Sequence, residues 1–287
     1  MLYNPASGRG RGARRIGAIR EAFARHGFTD VRGTERVGDE GRLVTEAIDD
    51  GVETIVVAGG DGTFSKCATT LARAGSPARM AILAAGTGND FAKNLGVDPR
   101  DPARLARLIA DGAPERLVDV MRVDDHWFLN VIGFGFDVAV LDASNRTGWL
   151  RGPAVYVAHA VRQLFSFEGV RFSVDGEPPR ARLLAAISNG RSFGGTFTIA
   201  PDARVDDGLL DAVLVDDVAP LARVPLLAGV LRGTHLQSPH CTHRRAARFT
   251  LTFDTTPWMD ADGELVQAAG REVEVAVVPR ALRLVDV

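Results

Sequence analysis

Cysteine is scarce in this chain. Its 287 residues include two, Cys67 and Cys241, far apart and in no CxxC pair. That spacing suggests neither a disulfide framework nor a cysteine-rich zinc site, and it fits a reducing cytoplasm. Charge of one sign is also lacking. A formal net charge of -2 and a pI near 6.3 leave no basic footprint for sequence-independent binding to nucleic acid. No apolar run approaches the ~20 residues needed to cross a bilayer, and the N-terminus lacks the apolar core of a secretory signal, so membrane contact is expected to be peripheral. Repeats and low-complexity segments are absent.

What is there suffices for a core. Hydrophobic residues make up 46% of the chain and mean hydropathy is +0.02; the length suits two domains better than one. From Asn4 to about Asp119, short β-rich runs alternate with helical patterns, as in βαβ units on a parallel sheet. Residues 14–26 read as a helix through Ile16, Ile19 and Phe23, stopped by Gly27. Residues 39–50 repeat the pattern through Leu43, Val44, Ala47 and Ile48, closed by Gly51. The run 54–58 is apolar on both faces, like a central parallel strand, and 80–84 is a second. Met1-Leu2-Tyr3 leaves only a very short strand before Asn4-Pro5, which suggests a natural start a few residues upstream.

Beyond about residue 119 the texture changes to alternating strands at 127–131, 171–174, 183–187, 209–213 and 249–253, the mark of an antiparallel β domain. Apolar helices are expected at 153–167 and 221–231. Val155, Val157, Val161, Leu164 and Phe165 are expected to be core. The division is therefore placed as 1–119 and 120–287, with a final strand at 281–287 that can return to the first domain.

Both central strands deliver a glycine loop at their C-terminal ends, the edge where open α/β sheets bind ligands. Gly59-Gly60-Asp61-Gly62-Thr63 puts backbone N–H groups near a helix start, where phosphate oxygens approach without Cβ obstruction. It is not the P-loop pattern, because the lysine and the spacing are wrong. Asp61 would repel naked phosphates, so its use is to meet them through Mg²⁺ or to handle an acceptor hydroxyl; an ordinary strand-to-helix turn is the other reading. In Gly86-Thr87-Gly88-Asn89-Asp90-Phe91-Ala92, Asn89 or Asp90 can cap the next helix and Thr87 can donate to a nucleotide. Asn4-Pro5-Ala6-Ser7-Gly8 suits a phosphate or ribose but by itself reads better as a plain Asn-Pro turn. Arg9, Arg11, Arg14 and Arg15 read as a solvated helix face. His240, Cys241 and His243 lack a fourth ligand at usable spacing and open a strand expected to run through 244–253, so they read as incidental.

These motifs, GGDGT, GTGNDFA, Phe193-Gly194-Gly195, APDARVDDGLL and Asp262-Gly263-Glu264, stand in the order found in lipid kinases of the diacylglycerol and sphingosine type. Across nearly its whole length the chain resembles the diacylglycerol kinase catalytic-domain family, above all its soluble bacterial members. The resemblance implies an α/β nucleotide domain like that of NAD kinase, a C-terminal antiparallel β-sandwich, and ATP with Mg²⁺. It implies ATP contacts from Asn4, Ser7, Thr34, the 60–66 loop with Gly60, Asp61, Gly62, Thr63 and Lys66, and Thr87; Gly8, Gly59, Gly86 and Asn89 complete the candidate nucleotide loops. Glu264 becomes the expected base, with Asp61 the rival for that role and Asp262 assisting. A structural Mg²⁺ is implied on the Asp207 carboxylate with the carbonyls of Arg204 and Leu209, a hard, all-oxygen donor set; a β-turn at Asp206-Asp207-Gly208 accounts for the segment as well.

The implied reaction moves the ATP γ-phosphoryl group to a lipid hydroxyl at a membrane surface, most simply that of diacylglycerol. The implied location is cytoplasmic with peripheral membrane association, and homodimers occur among relatives. One departure stands out: Ser65 and Lys66 replace an asparagine-like residue and a glutamate in the GGDGT helix. A regulator that binds nucleotide or lipid without catalysis is the alternative Lys66 favours. NAD kinase shares GGDGT, but GTGNDFA and the terminal Asp262-Gly263-Glu264 argue against it.

Overall fold

The structure is a computed structural model that describes residues 1–86, 88–95, 101–146 and 153–286, with backbone alone at 9–12 and 153–157. The chain folds into two units, one of residues 1–120 and 279–287 and one of residues 121–278.

In the first unit the elements run β1 (Leu2–Tyr3), α1 (Ser7–Ala24), β2 (Arg32–Gly33), α2 (Asp39–Asp49), β3 (Thr54–Gly59), α3 (Asp61–Arg73), β4 (Arg79–Ala84), α4 (Asp90–Asn94), α5 (Pro102–Ala110) and β5 (Glu115–Val123). Strand β3 lies between β1 and β4, with β2 beyond β1, and all these pairings are parallel. Gly27 and Gly51 take left-handed φ values of 82° and 71° where the first two helices end, a conformation that carries no Cβ penalty at glycine. Helix α1 begins a full seven residues before the expected start at 14, because the arginines and glycines there lack the apolar spacing that marks a helix in sequence. Helix α5 is capped by Asp101, whose carboxylate accepts the amides of Ala103 and Arg104. Ile19 and Phe23 of α1, Val56 and Ala58 of β3, Leu83 of β4 and Leu105 of α5 share one core.

The second unit continues with β6 (His126–Phe128), β7 (Val131–Gly135), α6 (Phe136–Arg146), α7 (Pro153–Ser166), β8 (Val170–Val174), β9 (Arg180–Ser188), β10 (Ser192–Phe193), β11 (Phe197–Thr198), β12 (Leu210–Asp216), α8 (Pro220–Arg232), β13 (Cys241–Ala246), β14 (Arg248–Phe253), β15 (Trp258–Ala261), β16 (Glu264–Gln267) and β17 (Glu272–Val285). Its strand pairings are antiparallel. Strands β9 and β12 bury both faces: Ala185, Ile187, Leu210, Ala212 and Leu214 enter a core with Phe249, Leu251 and Val275. Leu184, Ala186, Val213 and Val215 enter another with Phe136, Leu164 and Leu226 of the helices. Strand β17 pairs with β14 through Glu272–Ala276 and, further on, places Leu284 parallel to Met80 of β4, so the end of the chain joins the first unit's sheet.

Two expected strands are each broken in two. The run 127–131 splits at Leu129-Asn130, whose amides turn to a side chain rather than to a neighbouring strand. The run 244–253 splits at Ala247, where the chain changes partners from β12 to β17 and β8. On α7, Leu164 is buried, but Val161 and Phe165 are exposed and not core as expected; the side chains of Val155 and Val157 lie outside the described residues.

Candidate active site

The parallel register Gly59↔Ala84 carries two loops to the same edge of the first unit's sheet. They pack backbone to backbone. The amides of Ala85 and Gly86 donate to the Gly59 carbonyl at 2.7 and 3.1 Å, and a Cβ on Gly86 would stand 2.6 Å from the Gly60 Cα. Helix α3 starts at Asp61, with Gly60 extended before it. The first amides of a helix have no intrahelical acceptor and carry its positive dipole end, and a Cβ on Gly62 would meet nothing within 4 Å. The loop thus offers donors in open space, as a phosphate requires.

Asp61 is anchored between the loops, its Oδ1 accepting the Phe91 amide at 3.2 Å. Burial, followed by the neighbouring Asp90 carboxylate, pushes its pKa up to about 6, against the opposing pull of backbone hydrogen bonds from Phe91, Asn89 and Asp90. A carboxylate held in this way gains from a nearby cation. Asn89 does not cap α4. It sits in the left-handed region and bonds the Gly86 peptide at both ends, Gly86 N–H to Oδ1 and Nδ2 to the Gly86 carbonyl, each 3.1 Å; it shapes the second glycine loop. Asp90 pairs with Lys93 at 3.0 Å. Thr87 lies outside the described residues.

Asn4 reaches the first loop from β1, donating to the Thr63 hydroxyl at 3.0 Å and to the Glu40 carboxylate at 3.3 Å. The Glu40 side chain is buried and nothing in its helical spacing sets it apart from a surface acid, so the sequence reading misses it. Ser7 turns its hydroxyl to the Asn4 carbonyl, and Gly8 opens α1 with φ 59°. The amide of buried Thr34 donates to the Tyr3 carbonyl. Lys66 is exposed on α3, one turn beyond Gly62 and so on the same helix face. Arg14 is exposed and Arg15 partly so; the side chains of Arg9 and Arg11 lie outside the described residues.

In the second unit, Asp262 and Gly263 join β15 to β16 with φ values of 52° and 86°, a hairpin turn that needs two left-handed residues. Glu264 follows, exposed, opposite Ala261. The Asp262 carboxylate takes three backbone amides, Leu129 at 2.6 Å on Oδ2 and Asn130 and Val131 at 2.9 and 3.0 Å on Oδ1. Its role in the structure is to brace the hairpin that carries Glu264. Asp260 adds a second brace through the Gly263 amide at 2.9 Å. Burial raises its pKa to about 7, the Gly263 bond opposing and Asp262 adding. Asp137, at the start of α6, is pushed well above the usual carboxylate range by burial and then by Asp260. Gly133 faces Asp260 across the β7–β15 pair, and a Cβ there would fall on the Asp137 carboxylate.

Beside this hairpin lies a groove of about 750 Å³ lined by Phe134, Val138, Phe167, Phe253, Trp258 and Leu265, among others. Trp258 opens β15 and Leu265 follows Glu264; because side chains alternate along a strand, Leu265 faces the groove and Glu264 projects from the other face of the hairpin. His243 approaches Asp211 at 2.7 Å. Asp207 accepts the Leu209 amide at 3.1 Å on one oxygen and the Arg245 guanidinium on the other. An all-oxygen cation site does not fit a carboxylate already neutralised in this way.

Sequence comparison matches two family models to the chain. The diacylglycerol kinase catalytic domain matches residues 1–123 and the YegS C-terminal NAD kinase beta sandwich-like domain matches residues 130–286. The diacylglycerol kinase of Mycobacterium tuberculosis is 31% identical, over 99% of this chain and 93% of its own length. The chain belongs to the diacylglycerol kinase catalytic-domain family. As a member of that family it is a phosphotransferase with an alcohol acceptor. A Pseudomonas aeruginosa relative named "Probable lipid kinase YegS-like" is 35% identical over 88% of this chain and 83% of its own. The crystal structure of a diacylglycerol kinase from Bacillus anthracis str. Sterne superposes with a TM-score of 0.77 at 24% identity, covering 100% of this chain and 96% of that one, a likeness of fold. No helix among the described residues is long and apolar enough to cross a membrane.

Proposed function

We propose that the chain is an ATP-dependent lipid kinase that transfers the γ-phosphoryl group of ATP to a lipid hydroxyl, with diacylglycerol as the first candidate acceptor and phosphatidic acid as the product. The observation that carries this reading is the joined pair of glycine loops with Asp61 anchored between them. In phosphoryl transfer the protein's task is positioning and charge stabilisation. The amides at the head of α3 bind phosphate oxygens, and Asn4 with Thr63 and Glu40 fixes the loop from behind. Asp61 and its backbone partners hold the site for Mg²⁺, which when bound neutralises phosphate charge. Lys66, on the Gly62 face of α3, adds a cation near the phosphates and tunes nucleotide affinity.

Glu264 takes the proton from the acceptor hydroxyl, held in place by the Asp262 and Asp260 braces. The groove beside the β15–β16 hairpin receives the acyl part of the lipid: its aromatic and aliphatic walls offer apolar burial, and Leu265 in that wall is next in the chain to the base. Access to the lipid is peripheral. Helices α7 and α8 leave Val161, Phe165, Leu221 and Val224 exposed, and their sequences contain arginine but no carboxylate, a face suited to an anionic bilayer surface. The deciding experiment is radiolabelled phosphate transfer from ATP across diacylglycerol, sphingoid bases, ceramide, phosphatidylglycerol and NAD. Transfer to a lipid and not to NAD is expected; transfer to NAD alone, or to none of them, would overturn the reading.

A further inference from the structure

The family resemblance implies a divalent cation at Asp207, yet the structure puts a side-chain cation there. Arg245 Nη2 bonds Asp207 Oδ2, while Asp207 Oδ1 takes the Leu209 amide. The Arg245 side chain is 38% exposed, and the sheet sets where it stands. The β12–β13 register sets Arg245 directly opposite Asp211, and its Nε lies 3.4 Å from Asp211 Oδ1. Asp211 is 1% exposed and its Oδ1 also meets His243 Nε2. One guanidinium therefore bridges a carboxylate on the 204–209 turn and a carboxylate buried in a strand, a use for which its planar fork and permanent charge suit it. The Arg204 side chain pairs with Asp206 at 3.4 Å, which satisfies the remaining acid of the turn from within it. A divalent cation seated on Asp207 would face a second positive charge on the same carboxylate.

We infer that Arg245 replaces the structural metal in this chain: it neutralises Asp207 and fastens the 204–209 turn to β13, so the second unit folds without bound Mg²⁺. This inference concerns the fold of one unit and goes beyond the kinase reading, and its readouts are stability and metal content, so either can fail alone.

The test uses nucleotide-free, chelator-treated full-length protein. Thermal unfolding is followed with and without millimolar Mg²⁺ at matched ionic strength, for the parent and for Arg245→Ala. The expected result is a parent Tm that Mg²⁺ does not move and an Arg245→Ala Tm several degrees lower. A parent Tm that rises with Mg²⁺ and loses that rise in Asp207→Asn overturns the inference, as does an Arg245→Ala protein that melts like the parent. Should Arg245→Ala fail to fold, equilibrium dialysis of the parent against Mg²⁺ decides. Metal bound by the parent and absent from Asp207→Asn overturns the inference; equal content in the two proteins supports it.

Discussion

At the scale of single residues, the proposed reaction divides its work between two carboxylates. Asp61, at the head of α3, has a pKa of about 6, so it is largely ionised at pH 7.5 and largely protonated at pH 5. If its carboxylate holds Mg²⁺ for the nucleotide, the Kd for Mg·ATP rises as pH falls through about 6, and Asp61→Asn binds weakly at every pH. A parent Kd flat from pH 5 to 7.5 would contradict the role. Glu264→Gln, by contrast, keeps ATP affinity and loses turnover by about 10²–10⁴-fold, the usual worth of a general base; single-turnover transfer at the parent rate, with both substrates saturating, excludes it. Asp260 links pH to stability with a definite sign. Its folded pKa of about 7 lies above the ordinary carboxylate value, so between about pH 4 and 7 the folded chain holds a proton that the unfolded chain has released, and stability falls as pH rises. Asp260→Asn is expected to remove that part of the pH dependence, raising unfolding free energy relative to the parent more at pH 8 than at pH 5. Urea unfolding at the two pH values checks it.

At the scale of elements, the β15–β16 hairpin holds its shape through the Asp262 carboxylate, which satisfies three amides that would otherwise be buried beside β7. Hydrogen bonds to a charged group contribute about 1.5–3 kcal/mol each, so Asp262→Ala should cost about 3 kcal/mol or more and slow turnover while sparing ATP binding. Unchanged stability would show the brace to be idle. The Asp-Gly turn is legible in the sequence because few residues accept two successive positive φ values, whereas the brace joins positions more than 130 residues apart and leaves no local sign. The same contrast holds for the glycine loops. GGDGT and GTGND stand out as phosphate-cradling patterns, but the sequence cannot show that Gly60 and Gly86 touch. Gly86→Ala is expected to push the loops apart and raise the KM for ATP.

At the scale of the whole molecule, the chain leaves its first unit at β5 and returns to it at the end of β17. Leu282 and Leu284 are buried there, each contributing on the order of 2 kcal/mol, with Leu284 in register beside Met80. Deleting residues 279–287 should therefore unfold the first unit, although it removes none of the proposed site residues; a truncated protein with the parent's Tm and ATP affinity would refute this. The groove beside the β15–β16 hairpin belongs to the second unit alone. Filling it with Ala139→Trp is expected to raise the KM for lipid and leave the Kd for ATP unchanged, a split that a general loss of folding would not produce.

Local order was readable from the chain because it is written locally: apolar spacing marks α2 and β3, glycine marks their ends, and the two glycine loops mark the ligand edge of the sheet. Family membership followed from those same short motifs, which sequence comparison bears out. Contacts across sequence distance were decided only in three dimensions. Glu40 joins Asn4 and Thr63, Asp262 claims the amides that interrupt the strand expected at 127–131, and Arg245 reaches Asp207 because β12 and β13 pair in one register. A side chain's partners depend on which strands lie side by side, and strand pairing is set by burial of the whole core rather than by any one segment.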